Sequence, residues 1–242
     1  LMTHSSITAH LDLFKPAIAW LQANKPDIPY ILSEIGNSLN PTHDYAYQAV
    51  LGSALWQVDF QLYALSIGVA RFNFQQIMHS GFDLWLPQAS GTSQPQVFAS
   101  YYAQPFVTDF VGSSGTAQVA ALDIEDESTG NWAGYAAFED GVPARLAFVN
   151  LNYWNSSSST TARASQNITV SVPDGVTSVT VDLLSSPLGA GGSADSITYA
   201  GSQWTYESAG LEVKGVRDDS QALDVVDGSV SIEVYQSSAV LV

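Results

Sequence analysis

"PYILSEIGNSLN", residues 29–40, decides the fold. Its first half is an apolar run bounded by proline, and its second half, "GNSLNP" with Pro41 included, is turn-forming, so "IPYILSE" predicts a strand of about six residues. Glu34 arrives at the end of that strand, where the chain turns into a loop. Upstream, Leu11, Phe14, Ile18 and Leu21 recur at helical spacing until Asn24, with Pro16 marking a first turn or a kink. Downstream, Tyr47, Leu51, Ala54, Leu55, Val58, Leu62 and Leu65 predict one apolar face of a long helix that stops near Gly68.

A second strand follows in "VARFNFQQ", residues 69–76. Ala70, Phe72 and Phe74 alternate with Arg71, Asn73 and Gln75, so one face meets helices and the other meets something polar. Strand, helix and strand in this order predict a β/α unit of a parallel sheet, of the kind found in a barrel whose mouth is a site. The segment "QVFASYYAQPFVTDFVG" (96–112) predicts one more covering helix.

After about residue 112 the pattern changes. Short runs such as "NWAGYAAFED", "ARLAFVNLN", "NITVSV", "VTSVTVDLL" and "SVSIEVYQ" are separated by Asp140-Gly141, Pro173-Asp174-Gly175 and Asp227-Gly228, which predicts an antiparallel β-sandwich. The expected organisation is thus α/β followed by all-β: residues 1–111 as C-terminal strands and helices of a (β/α)8 TIM barrel, and residues 112–242 as a sandwich. Two strands cannot close an eight-stranded barrel, so an N-terminal barrel segment or a second chain is expected to complete it. The low-complexity tract "NSSSSTTARASQ" fits a loop inside the sandwich.

Composition narrows the function. Seven Lys and Arg stand against 23 Asp and Glu, a formal charge of -16, which repels nucleic acid and anionic membrane surfaces. No run is long enough to span a bilayer, and "LMTHSSITAH" lacks the features of a signal peptide and resembles the interior of a longer chain. The absence of cysteine removes disulfides, thiolate metal sites and a Cys nucleophile. His4, His10 and His43 have no ligand-like spacing with carboxylates, so neither a metal nor another cofactor is expected. Sequons at Asn155 and Asn167 are candidate glycosylation sites and point to a secreted, extracellular protein.

Carboxylates at the C-terminal ends of parallel barrel strands face the shared pocket, where Glu34 fits a nucleophile. On position alone it fits equally a group that caps the following helix or pairs with Arg71. The motifs "SEIGNSLN" (33–40), "GSALWQVDFQLYALSIGVARFNFQQ" (52–76) and "LWLP" (84–87) break the tie. Together they resemble, in order from Leu1 to Pro87, glycoside hydrolase family 79, the β-glucuronidases and heparanases.

That resemblance implies a retaining β-glycosidase, β-glucuronidase-like, acting on a carbohydrate, with Glu34 as the nucleophile ending the seventh barrel strand. It also places the acid/base glutamate on a fourth strand preceding anything in this chain. Asp44, Asp59 and Asp83 are the nearest carboxylates, but Asp44 belongs at a helix start and Asp59 inside a helix. Asp83, in the loop after the second strand, is the one within reach of the pocket. The resemblance implies pocket tyrosines where this chain has Asn40 and Phe82, which weakens the expectation of uronate specificity. Asn73 and Gln75, able to donate and accept at once, suit sugar hydroxyls, and Phe82 and Trp85 suit an aromatic floor. His79 stands in the same loop. The competing expectations are a non-catalytic carbohydrate-binding β-sandwich and a catalytically dead scaffold.

Overall fold

A computed structural model describes residues 2–36, 49–76, 83–90, 93–124 and 130–242. The first helical stretch is two helices, α1 (His4–Asp12) and α2 (Lys15–Asn24). Pro16 stands in the first turn of α2, where its missing N–H costs nothing, so the expected single helix divides just before it. Strand β1 (Tyr30–Ile35), helix α3 (Leu51–Ser66) and strand β2 (Val69–Phe74) follow, and β1 pairs with β2 in parallel. Among the described residues these two strands form a sheet of their own.

The periodicity predicts one apolar face on α3, yet thirteen of its sixteen residues are buried, Gln57, Asp59 and Gln61 among them. The helix lies between two layers. One side meets β1, β2 and α1, and the other meets the antiparallel sheet that begins at residue 118. A helix buried all round has no solvent face, so its polar residues need partners inside the protein.

A short antiparallel pair, β3 (Trp85–Leu86) and β4 (Gln96–Val97), leads into a 3-10 turn (Ala99–Tyr102) and α4 (Ala103–Val111). The expected covering helix is therefore present, with Phe106 and Phe110 fully buried.

The rest is mostly antiparallel β. Strands β5 (Gln118–Leu122), β6 (Trp132–Glu139), β7 (Val142–Asn150), β9 (Ser178–Ser185), β10 (Thr198–Tyr199) and β15 (Ser238–Leu241) order themselves β10-β9-β15-β7-β6-β5, and β13 (Ser220–Asp224) also pairs with β9. Strand β8 (Ser165–Ser171) pairs with β14 (Ser229–Tyr235) as a separate ribbon, and β11 (Gln203–Trp204) with β12 (Glu212–Val213) as another. Asp140-Gly141 and Asp227-Gly228 adopt positive φ at both residues, the geometry of type I′ hairpin turns.

Both faces of the large sheet are covered. Tyr135, Ala137, Ala147, Val149, Leu184 and Leu241 share a core with α1, α3 and α4, while Trp132, Phe148, Val181 and Val240 pack with Val230, Ile232 and Val234 of β14. This explains why "WAGYAAF" is buried from Trp132 to Ala137 without alternating, whereas β14, with one face in solvent, alternates strictly.

The Ser/Thr-rich tract is a loop anchored by Arg163. Its guanidinium donates to the carbonyls of Gln236, Ser186 and Ser237 at 2.6, 3.0 and 2.7 Å and lies over the rings of Trp154 and Tyr235. Burial lowers its pKa to about 10, which leaves it charged at neutral pH. Arg163→Ala strands three carbonyls, and we expect a loss of about 2–3 kcal/mol in urea unfolding. Arg163→Lys restores little of this, because an ammonium cannot reproduce the planar fork.

Candidate active site

The geometry at Glu34 comes from an irregular strand register. Leu32 stands opposite Phe72 and Ile35 opposite Phe74, so two residues, Ser33 and Glu34, span the interval that Asn73 spans alone. This is a bulge, which inserts an extra residue and re-aims side chains. Leu32 and Ile35 pack into the helical core, as do Phe72 and Phe74, while Ser33 and Glu34 are both exposed. Strict alternation from Leu32 would have turned Glu34 toward the helices; the bulge releases it. The main chain resumes pairing at once, with the Gln75 N–H donating to the Ile35 carbonyl at 3.0 Å.

Glu34 contributes to the wall of a cavity of about 440 Å³ whose other sides come from α1 and α3, including Ser6, His10, Trp56 and Phe60. Trp56 and Phe60 face each other at 5.1 Å between ring centroids. The alternative pairing with Arg71 is not formed. Arg71 Nε donates instead to Asn73 Oδ1 at 3.2 Å, two residues along the same face.

Asn73 and Gln75 are half-buried on and just beyond β2, as are Phe72 and Phe74, and Ala70 is exposed. A second register irregularity near Tyr30 and Ile31 separates Ala70 from the face of Phe72. Gln76 does what sequence reasoning did not assign to it. Its Oε1 accepts from the Leu84 N–H at 3.0 Å and its Nε2 donates to the Trp85 carbonyl at 2.6 Å, which fixes the β3 segment at the C-terminal end of β2.

Trp85 is 42% exposed, opposite Val97 in the β3–β4 pair and edge-on to Tyr101 at 6.3 Å. Asp83, expected within reach of the pocket, is fully buried instead, with Ser100 Oγ against its carbonyl at 3.5 Å. The 3-10 turn that packs over it removes it from the rim. Asn40, Asp44, His43, His79 and Phe82 lie outside the described residues.

Asn167 is exposed on β8 opposite Glu233. Asn155 is half-buried. Its Oδ1 accepts from the Ser157 N–H and Oγ at 3.1 and 2.9 Å, and its Nδ2 donates to Tyr153 OH at 3.1 Å. Among the described residues no three His, Asp or Glu side chains converge as a metal site, and no helix is long and apolar enough to cross a membrane.

One polar cluster was not legible in advance. Asp59, fully buried on α3, accepts from Tyr135 OH of β6 and pairs with His4 Nδ1 of α1 at 2.9 Å. Burial works to lower the His4 pKa, but the hydrogen bond and charge of Asp59 outweigh it and hold it above the ordinary value. Burial, reinforced by Asp59, pushes Tyr135 well above the ordinary phenol value, so it remains a donor.

The architecture has counterparts among known proteins. Residues 134–241 match the family model for the glycosyl hydrolase family 79 C-terminal beta domain. Over 230 residues the chain is 30% identical to a β-glucuronidase of Aspergillus niger, an alignment covering 89% of this chain and 41% of that protein. It is 28% identical over 166 residues to a β-glucuronidase of Neurospora crassa, covering 65% of this chain and 29% of the relative. The chain thus spans less than half the length of these curated relatives. A solved 4-O-α-L-rhamnosyl-β-D-glucuronidase from Fusarium oxysporum superposes with a TM-score of 0.78 over 99% of this chain and 48% of its own, at 21% identity, a likeness of fold.

Residues 134–241 match the C-terminal beta domain of glycosyl hydrolase family 79, and over most of its length the chain is similar to β-glucuronidases.

Proposed function

We propose that the chain is the C-terminal portion of a secreted, retaining β-glycosidase of the β-glucuronidase type, with Glu34 as nucleophile. In this reading residues 1–111 are the last strands and helices of a (β/α)8 barrel and residues 112–242 are a β-sandwich. The rest of the barrel, with the acid/base carboxyl, comes from an N-terminal segment or a second chain, for which the greater length of the relatives leaves room. The carrying observation is the bulge that frees Glu34 from the helical core at the C-terminal end of a parallel strand, where Ser33 and Glu34 stand opposite Asn73.

The chemistry is double displacement. A Glu34 oxygen attacks the anomeric carbon while the second carboxyl group, about 5–5.5 Å away, protonates the departing oxygen and the glycosidic bond breaks. Water, deprotonated by that same group, then attacks the glycosyl ester and releases Glu34 as a carboxylate, with configuration retained. Asn73 and Gln75 hold sugar hydroxyls, and Trp85 supplies an apolar face to the ring.

A β-glucuronide is the favoured substrate because the curated relatives carry that activity in their names. Asn40 and Phe82, in the positions of the resemblance's tyrosines, lack the phenolic donors that would hold a uronate. Each such charge-assisted bond contributes about 1.5–3 kcal/mol, so neutral β-hexosides compete. Carbohydrate is the partner, nucleic acid and membrane surfaces are repelled by the acidic charge, and N-glycans at Asn155 and Asn167 accompany secretion.

The test is hydrolysis of p-nitrophenyl β-glucuronide, β-glucoside and β-galactoside by the full-length protein, with the first-formed anomer read by proton NMR. Release of the β anomer is expected. Inversion removes the double displacement through Glu34, and no turnover of any of the three removes the glycosidase reading in favour of a non-catalytic carbohydrate-binding protein.

A further inference from the structure

We propose that the junction between the β3–β4 pair and the 193–207 loops of the β domain is a second carbohydrate subsite, built for a neutral oligosaccharide extending from the Glu34 end of the parallel strands. The inference deepens the glycosidase reading and rests on it. Three rings lie in succession: Trp85 is 6.3 Å from Tyr101, and Tyr101 is 6.4 Å from Trp204. The row starts at the segment that Gln76 fixes to the end of β2 and ends at a cavity of about 370 Å³ lined by Val97, Asp195, Trp204, Thr205, Tyr206 and Glu207.

The far end of the row is set before any ligand arrives. Tyr102, fully buried, meets Trp204 edge-on at 5.6 Å, donates to the Ala194 carbonyl at 3.0 Å and accepts from the Trp204 N–H at 3.3 Å. Thr205 and Ser208 exchange side-chain-to-backbone bonds that hold the loop bearing Tyr206 and Glu207. Tyr206 remains 48% exposed, a large ring held open to water.

The lining selects the ligand. Exposed rings offer flat apolar faces to the C–H faces of pyranose rings, and Asp195 and Glu207 accept from hydroxyls. A concave site with aromatic walls and a few polar groups is the usual form of a small-ligand site. The carboxylates of Asp195 and Glu207 in this cavity wall repel a uronate or sulfate placed there, which leaves neutral sugars. An extended row, rather than rings closing around one point, suits a linear oligosaccharide over a compact cation.

Calorimetric titration of the full-length Glu34→Gln protein with cellotetraose, xylotetraose and β-galactotetraose tests this, since that background keeps ligands intact. We expect one of these probes to bind, Tyr206→Ala to weaken it about three- to tenfold, and Tyr206→Ala/Glu207→Gln to weaken it by about tenfold or more. Hydroxyl-radical footprinting of the unsubstituted protein reads the same contact through protection of Trp85 and Tyr206. The proposal is overturned if no neutral probe binds, if the double substitution leaves affinity intact, or if tetragalacturonate or tetramethylammonium binds as well as the neutral probe. Tyr206-dependent binding without any Glu34-dependent hydrolysis would retain the subsite and remove the glycosidase reading; hydrolysis without binding would do the reverse.

Discussion

If Glu34 is the nucleophile as proposed, Glu34→Gln in the full-length protein is expected to lower β-glycoside turnover by roughly four orders of magnitude or more, the scale seen when a covalent nucleophile is removed from a preorganised site. The amide keeps the shape of the carboxylate and its exposed place on the bulge, so folding is unaffected and the loss falls on kcat. What disappears is the charge and the lone pair that form the glycosyl ester. Glu34→Ala carries a sharper signature. The vacated space admits azide, which attacks the same face of the anomeric carbon, and with no ester left to resolve, an α-glycosyl azide accumulates. Hydrolysis by Glu34→Gln at the rate of the unsubstituted protein, or a β-azide from Glu34→Ala, assigns the attack to another residue.

Asp59→Ala destabilises the protein by about 3–5 kcal/mol, the largest single-site loss we expect outside the apolar core. The carboxylate is fully buried and serves two elements at once, Tyr135 OH from β6 and His4 Nδ1 from α1. Removing it leaves a buried phenol and an imidazole without their acceptor and opens a void at the helix–sheet contact. The main-chain N–H of His4 donates to Asn131 Oδ1 at 2.9 Å, and Asn131 Nδ2 donates to the carbonyls of Met2 and Leu151 at 3.0 and 2.7 Å, so loosening α1 also disturbs the start of β6. Urea unfolding of Asp59→Ala measures the loss; a change under about 1 kcal/mol would mean that water replaces the carboxylate without cost.

The same pair gives stability a dependence on pH. The His4 pKa is raised in the folded protein, so its contribution is fully present below the unfolded value of about 6.5 and is lost as pH rises through the folded value. Unfolding free energy therefore falls from mildly acidic to mildly alkaline pH through this group. Asp59→Asn flattens the slope, because a neutral amide no longer favours imidazolium over imidazole. A slope unchanged in Asp59→Asn would assign the dependence to other groups.

Strands and turns with strong local chemistry were legible residue by residue. Proline on one side of "YILSE" and turn residues on the other delimit β1, and Asp140-Gly141 and Asp227-Gly228, read as turns, have positive φ at both residues. Less legible were elements defined by their neighbours. Strands β13 and β15 have weak or short patterns and exist because an edge or a gap in the large sheet accepts them. Helix α3 misled for a related reason, since a 3.6-residue period reports which side is apolar and says nothing of whether the polar side is also covered. Asp83 is the clearest case at the site, a loop carboxylate by sequence and a fully buried one in space.

Local pattern alone determined the parallel β/α unit, the position of Glu34 on its first strand, the change to antiparallel strands near residue 112 and the acidic surface, because each is written in neighbouring residues and their periods. Only the tertiary structure decided that a bulge turns Glu34 out of the helical core, that Gln76 pins Trp85 at the rim, and that His4, Asp59 and Tyr135 meet. Those arrangements depend on register between strands and on contacts between residues up to 131 positions apart, such as His4 and Tyr135 about one carboxylate. Register and burial are properties of the packed chain, and no local spacing carries them.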